Sequence, residues 1–419
     1  MNEPSLAQSV SERVRVAARA AFGTPAFGGL FACALMLGLA SSFVLPFLSL
    51  WGTLSVGMKP LTFACFMTLN SLCAMAASTL LARWSDTRWS RRTVLLIGGS
   101  GGTLGYLGYA FVTQVPLLML IGATLISVSA ISFSQIFAHA REELTRSQHG
   151  SASFALGVLR AAFSLAWTVG PALGALVVEH FGYRGSFLAA SGLLLAYLSV
   201  VVGFVPARAR ERQAETASQG QSLARLLTRP HLLVQFSAFV LVFAALSLNM
   251  MNLPLYLTQE LGGTERQVGT TFAVAPVFEI PFILWLGRLA TRGRQAAMIR
   301  VGVAVAVVYF LALGFALAPA HVYPAQVLNA FAIAVTMSLA IPYFQDLLPG
   351  QTGLATSVYS SSWSFGSLLG YLSFGLLAES LGHRGLTRFC AALAATSLLV
   401  LVLSGKRASE PGAASLAVE

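Results

Sequence analysis

The sequence predicts an all-α membrane protein of twelve transmembrane helices in two pseudo-symmetric six-helix halves. Three observations carry that prediction. Apolar residues make up 56% of the 419 and charged residues 10%, too little charge to cover a soluble protein of this length. Apolar runs close to the roughly 20 residues that a hydrocarbon core about 30 Å thick requires recur along nearly the whole chain. Short strings also return about 200 residues apart, as a duplicated half would make them.

In chain order the expected spans are 25–51, 60–83, 93–113, 116–139, 152–178, 185–206, 232–258, 266–288, 297–318, 322–346, 354–378 and 385–404. The tail 1–24 is polar and basic, with no cleavable signal, and the first apolar run is long enough to span. A polar segment, 207–231, carries Arg208, Arg210, Arg212, Arg225 and Arg229 and reads as a cytoplasmic linker between the halves 25–206 and 232–404. A second tail, 405–419, closes the chain.

The connections carry the repeat. Glu179, Gly182, Arg184 and Gly185 follow the fifth span, and Glu379, Gly382, Arg384 and Gly385 follow the eleventh. Arg88 and Arg292, after the second and eighth spans, keep a similar offset, as do Glu142 and Asp346 after the fourth and tenth. Three coincidences at nearly one offset indicate duplication. Of the 26 Lys and Arg, this segmentation places twenty on the side of both termini, five on the other, and Arg160 inside a helix. That bias puts both termini in the cytoplasm. It also explains the net charge of +11 as a topology signal in short loops, so no nucleic-acid partner is expected. Cys33, Cys65, Cys73 and Cys390 fall inside apolar runs without metal-ligand spacing and read as buried packing residues. No cofactor, metal, phosphate cradle or nucleophile constellation is expected.

The loop after the second span reads Ala82-Arg83-Trp84-Ser85-Asp86-Thr87-Arg88-Trp89-Ser90-Arg91-Arg92. It resembles the signature Gly-x-x-x-Asp-(Arg/Lys)-x-Gly-(Arg/Lys)-(Arg/Lys) of the major facilitators, with Ala82 and Trp89 at the glycine positions. The resemblance implies a gating latch in which Asp86 pairs with basic residues and a helix N-terminus, the end that favours a carboxylate. Arg88, Arg91, Arg92, Arg141, Glu142 and Asp346 join that expectation. In the second half Gly287 and Arg288 persist, but Ala290 stands where the acid would be, so the latch is asymmetric. In the fifth span Gly157, Ala166, Gly170, Pro171, Gly174 and Ala175 resemble the antiporter motif of exporting major facilitators. Small residues there admit a close helix, and the proline removes a backbone hydrogen bond.

Further strings are Phe137-Ala138-His139-Ala140-Arg141-Glu142, Leu159-Arg160-Ala161, Ser164-Leu165-Ala166-Trp167, Leu253-Pro254-Leu255-Tyr256, Glu279-Ile280-Pro281, Leu328-Asn329-Ala330 and Phe344-Gln345-Asp346 through Pro349-Gly350. Together they resemble the bacterial sugar efflux transporter family within the major facilitators. That resemblance implies the major facilitator fold and export of lactose, glucose or other small glycosides in exchange for protons, not enzymatic chemistry.

Two ionisable residues lie well inside spans, Arg160 and Glu279. A charge at the bilayer centre costs at least about 2.5–3.5 kcal/mol, so each is expected to face an aqueous cavity or a partner. Glu279 is the expected coupling acid, because burial favours its neutral form; Arg160 is its expected partner or a ligand of the solute. A structural acid and a structural ion pair are the plain alternatives. Gln135, Asn249, Asn252, Asn329 and Gln345 are expected to donate and accept hydrogen bonds to sugar hydroxyls, with Trp167 and Trp363 covering an apolar sugar face. Interhelical hydrogen bonding is the alternative for each. His139, at a helix end, reads as interfacial. The expected protein is a monomeric, multi-pass transporter in lipid of the bacterial inner membrane. A multidrug/proton antiporter of the same fold is the nearest rival, ahead of a membrane enzyme or a sensor.

Overall fold

A computed structural model describes residues 25–147, 152–206, 229–289 and 294–407. The expected first tail, the second beyond 407 and nearly all of the linker 207–231 lie outside the described residues, as does the side chain of Asp86. Among the described residues every regular element is helical. Ten runs are long and apolar enough to cross a membrane. Two of them, Leu156–Phe204 and Thr352–Ser404, hold 49 and 53 residues, more than twice what one crossing needs. Each breaks at a glycine with left-handed backbone, Gly182 (φ 66°) and Gly382 (φ 67°). Each run is therefore two spans, and the total among the described residues is twelve.

We number the helices α1 Pro25–Val44, α2 Pro60–Thr87, α3 Arg91–Phe111, α4 115–147, α5 152–181, α6 183–204, α7 Pro230–Leu255, α8 Glu265–Leu289, α9 Gln295–Gly314, α10 Val322–Leu347, α11 352–381 and α12 383–407. The duplication is visible in backbone detail. Beyond α1 the chain runs through a π-helical turn, Trp51–Ser55, and reverses at Gly57 (φ 78°); beyond α7 it does the same through Tyr256–Glu260 and Gly262 (φ 69°). α2 runs past its expected end at 83 to Thr87, because Ala82 and its neighbours include no glycine or proline to stop it. Arg83 to Asp86 are thus helical, not loop.

Packing divides the chain into two units: Met1–Phe47 with Leu69–Arg212, and Leu48–Thr68 with Gln213–Glu419. The expected boundary at 206–232 did not place Leu48–Thr68 with the second unit. There Phe63 meets the Phe374 ring at 6.1 Å, and a Cβ on Gly375 would lie 2.5 Å from Ala64 Cβ.

Close helix pairs organise each unit. In the first, α1 lies against α5: a Cβ on Gly38 would come within 2.7 Å of Ala166 Cβ, and one on Gly170 would overlap Ser42 Oγ. Ser42 Oγ donates to the Ala166 carbonyl at 3.2 Å, using the approach that the small residues permit. In the second, α7 lies against α11: Gly370 faces the Ala244 carbonyl, and Ser247 bonds Ser367 at 3.1 Å. Phe239, Phe243, Val335 and Phe344 form its apolar core. The cysteines differ from expectation. Cys33 and Cys390 are buried, but Cys65 is exposed and Cys73 half-exposed, on a helix that is among the least buried.

Candidate functional site

In the first unit the polar residues gather at the α2–α3 connection. Ser90 caps α3 by accepting from the Thr93 amide at 3.1 Å, which fixes where Arg91 and Arg92 leave the helix. Arg91 Nε donates to Glu142 Oε1 at 2.7 Å, and Arg91 Nη1 to Gln135 Oε1 at 3.1 Å. Ser85 Oγ donates to the same Gln135 oxygen at 3.2 Å. α2, α3 and α4 are thereby joined through one buried amide. Arg92 Nη2 donates to the Val202 carbonyl at 2.7 Å, tying α3 to the end of α6. Arg88 and Arg141 are exposed. Gln135, expected at the solute, takes part in this network through Oε1, because its register on α4 points that oxygen at Arg91. His139, expected at the interface, is 6% exposed and so buried. Trp84 and Trp89 pack edge to face at 5.0 Å; Trp89 fills the place of the signature's second glycine.

The second unit holds a polar network between α7, α9 and α10. Asn249 Nδ2 donates to the Tyr309 hydroxyl at 3.0 Å, and Gln326 Nε2 to the same oxygen at 3.2 Å. Asn329 Nδ2 donates to Gln326 Oε1 at 2.9 Å. All four side chains are buried. Asn249 Oδ1 and Asn329 Oδ1 are buried acceptors without a hydrogen-bond partner among the described residues. Such an oxygen costs about 1–3 kcal/mol until a donor reaches it. In the first unit Trp167 Nε1, on α5, is a buried donor in the same state. Trp363 is exposed and packs edge to face with Phe243, ring centroids 4.9 Å apart.

Asn252 stands apart from this network. Its Nδ2 donates to the His383 carbonyl at 2.8 Å and to Thr387 Oγ1 at 3.1 Å, and its Oδ1 meets His383 Nδ1 at 2.8 Å. Both polar atoms of the Asn252 side chain are thus hydrogen-bonded between α7 and α12. Gln345 is half-buried near the end of α10, where its carbonyl accepts from the Leu348 amide at 3.3 Å, and Asp346 is exposed. Arg160, on α5, is exposed, and Glu279, on α8 between Pro276 and Pro281, is half-buried. The two belong to different units. Gly170 and Pro171 are buried, and Gly170 lies where α5 meets α1. Sequence reasoning missed Tyr309, Gln326 and His383. A glutamine inside an apolar run was a readable signal for Gln326. Tyr309 was indistinguishable from a packing aromatic, and His383 from a loop histidine.

The comparisons agree with this architecture. The family model of the Major Facilitator Superfamily matches residues 30–318 and 235–417. The chain is 33% identical over 386 residues to a Deinococcus radiodurans protein named as a candidate sugar efflux transporter, covering 90% of this chain and 98% of that one. It is 29% identical over 356 residues to sugar efflux transporter A of Escherichia coli K12, covering 84% and 88% of the two chains. Among solved structures, a point mutant of the nucleoside transporter NupG superposes with a TM-score of 0.81 at 12% identity, covering 90% of this chain and 99% of that one. That likeness bears on the fold alone. The chain is therefore a multi-span membrane transporter that belongs to the bacterial sugar efflux transporter family of the major facilitator superfamily.

Proposed function

We propose that this protein exports small sugars or glycosides across the bacterial inner membrane in exchange for protons, by alternating access. The observation that carries the reading is the pair of buried amide oxygens, Asn249 Oδ1 and Asn329 Oδ1, held unpartnered on α7 and α10 through Tyr309 and Gln326. Oxygens fixed in this way accept from hydroxyl groups, the commonest donor a sugar offers. Within the first unit Trp167 Nε1 is a further buried donor, and in the second the exposed indole of Trp363 is of the kind that suits an apolar sugar face. The names of the relatives point to the same substrate class.

In this reading Glu279 carries the coupling proton. It is half-buried on α8 between Pro276 and Pro281, and its carboxyl can hold or release one proton. Arg160 answers its charge or the solute. Asp86, Arg88, Arg91, Arg92, Arg141, Glu142 and Asp346 form the gate, with Gly170 and Pro171 setting how α5 moves against α1. The solute enters from the cytoplasm and leaves outside, and an inward proton resets the cycle.

The test is accumulation in cells expressing the protein, with radiolabelled lactose and a cationic dye compared side by side. Lower lactose accumulation with unchanged dye is the expected result. Lower dye with unchanged lactose would overturn the sugar reading in favour of a multidrug exporter.

A further inference from the structure

α4 is not one regular helix. Its first segment ends at Ile121, a π-helical turn spans Gly122–Ile126, and a long regular segment resumes at Ile131. After the turn the Ser127 amide reaches back five residues to the Gly122 carbonyl, and the Ala130 amide meets the Ser127 carbonyl at 3.4 Å. In the second unit α10 runs as one α-helix from Val322 to Leu347. A π turn inside an α-helix inserts one residue, and such turns are frequent at functional sites.

Neighbouring helices seat the turn. A Cβ on Gly122 would overlap Asn70 Oδ1 of α2. The Ser127 hydroxyl shares its hydrogen between the Gly122 carbonyl at 2.7 Å and the Asn70 carbonyl at 3.1 Å. On α3, Gly101 and Gly105 admit the Leu125 carbonyl and the Ile126 side chain, which a Cβ would meet at 2.8 and 2.5 Å. The inserted residue sets everything beyond it one place back around the helix axis. Gln135 and Glu142, seven apart and so on one face, thereby both meet Arg91. Rewound to a regular helix, the later part of α4 would advance by one residue, about 100° and 1.5 Å. Ser134 and Arg141 would then take the places of Gln135 and Glu142. A guanidinium would replace the carboxylate opposite Arg91.

We propose that α4 carries a register switch: the Arg91–Glu142 pair holds the π turn, and breaking the pair lets the turn rewind and rotate α4 beyond Ile126. The contact with Arg91 towards one end of α4 is thereby coupled to the contact with Asn70 towards the other. The switch needs no solute. Only its use, turning α4 during transport, rests on the exporter reading.

Cross-linking of the purified full chain by a short bifunctional thiol reagent, without sugar, tests the switch independently of transport. Cys65→Ser and Cys73→Ser first remove the two thiols that are not buried. Ser85→Cys with Gln135→Cys reports the present register, in which those side chains touch at 3.2 Å. Ser85→Cys with Ser134→Cys reports the rewound one. Glu142→Leu should speed cross-linking of the second pair about tenfold, the low end for a hydrogen bond to a charged group, and slow that of the first. Deleting Thr124, an exposed residue of the turn, makes α4 regular while keeping Gln135 and Glu142 in register. In that background Glu142→Leu should change neither rate. No response to Glu142→Leu in the full chain overturns the proposal, as does an equal response with Thr124 deleted. Should the deletion not fold, Ser127→Ala takes its place. Loss of the hydroxyl that seats the turn should speed the second pair, and an unchanged rate overturns the switch.

Discussion

Asn249, Asn252 and Asn329 are chemically identical side chains buried to similar depth, and the structure gives them opposite work. Asn252 has every polar side-chain atom engaged; Asn249 and Asn329 each leave one oxygen without a partner among the described residues. Replacing a satisfied partner strands the other side of each bond, whereas replacing an unsatisfied oxygen relieves a penalty. Asn252→Leu should therefore lower the melting temperature, through a loss of about 1–3 kcal/mol, with little change in sugar affinity. Asn329→Leu should weaken sugar binding about two- to tenfold, the worth of one net hydrogen bond of about 0.5–1.5 kcal/mol; it removes the unpartnered oxygen but strands Gln326 Oε1, so it should lower the melting temperature less than Asn252→Leu. Detergent melting curves and isothermal binding measurements separate the two; the reverse pattern would remove Asn329 from the site. Glu279→Gln belongs beside them. It keeps the shape but releases no proton, so it should abolish uphill export driven by a pH gradient in liposomes and leave sugar exchange partly intact. Full gradient-driven export by this variant would eliminate Glu279 as the obligatory carrier.

At the scale of elements, a close helix against α5 was readable from its small residues, Gly170 and Gly174 among them, whereas its identity as α1 was not. The repeat at Gly182 and Gly382 was readable too, because a left-handed turn between two spans requires glycine. What sequence could not supply was direction around each helix axis. Gln135 and Asn249 look alike in an apolar run, yet one faces Arg91 and the other Tyr309. Nor could it supply the continuation of α2 through Thr87, or the membership of Leu48–Thr68 in the second unit, since hydropathy marks spans and not their partners. The α1–α5 contact gives a sharp prediction. A Cβ at position 170 would overlap Ser42 Oγ, so Gly170→Ala should destabilise by about 1–3 kcal/mol, the usual cost of overpacking. Adding Ser42→Gly removes the obstructing side chain and should restore most of the loss. Melting curves of the single and double variants read this directly, and additive destabilisation would show that the contact is not the cause.

At the scale of the whole molecule, the number of spans and the distribution of charge must agree. Twelve crossings return the chain to the side on which it began, so both termini share a compartment. The breaks at Gly182 and Gly382 are what make the count twelve, since ten uninterrupted runs would set the later connections differently. With twelve, the 20 basic residues that share a side with the termini oppose five on the other, and positive charge near span ends is retained in the cytoplasm. The connections that test this most severely flank the two glycines. Reporter fusions after α2, α4, α6, α8 and α10 should report cytoplasm, while fusions at Gly182 and Gly382 should report the extracytoplasmic side. A fusion within 208–229 that reports outside would overturn the orientation, and with it the direction of export. Fusions on both sides of Gly182 that report the same compartment as α4's end would instead remove a crossing. The two failures are distinguishable, because the first inverts every reporter and the second inverts only those downstream of the break.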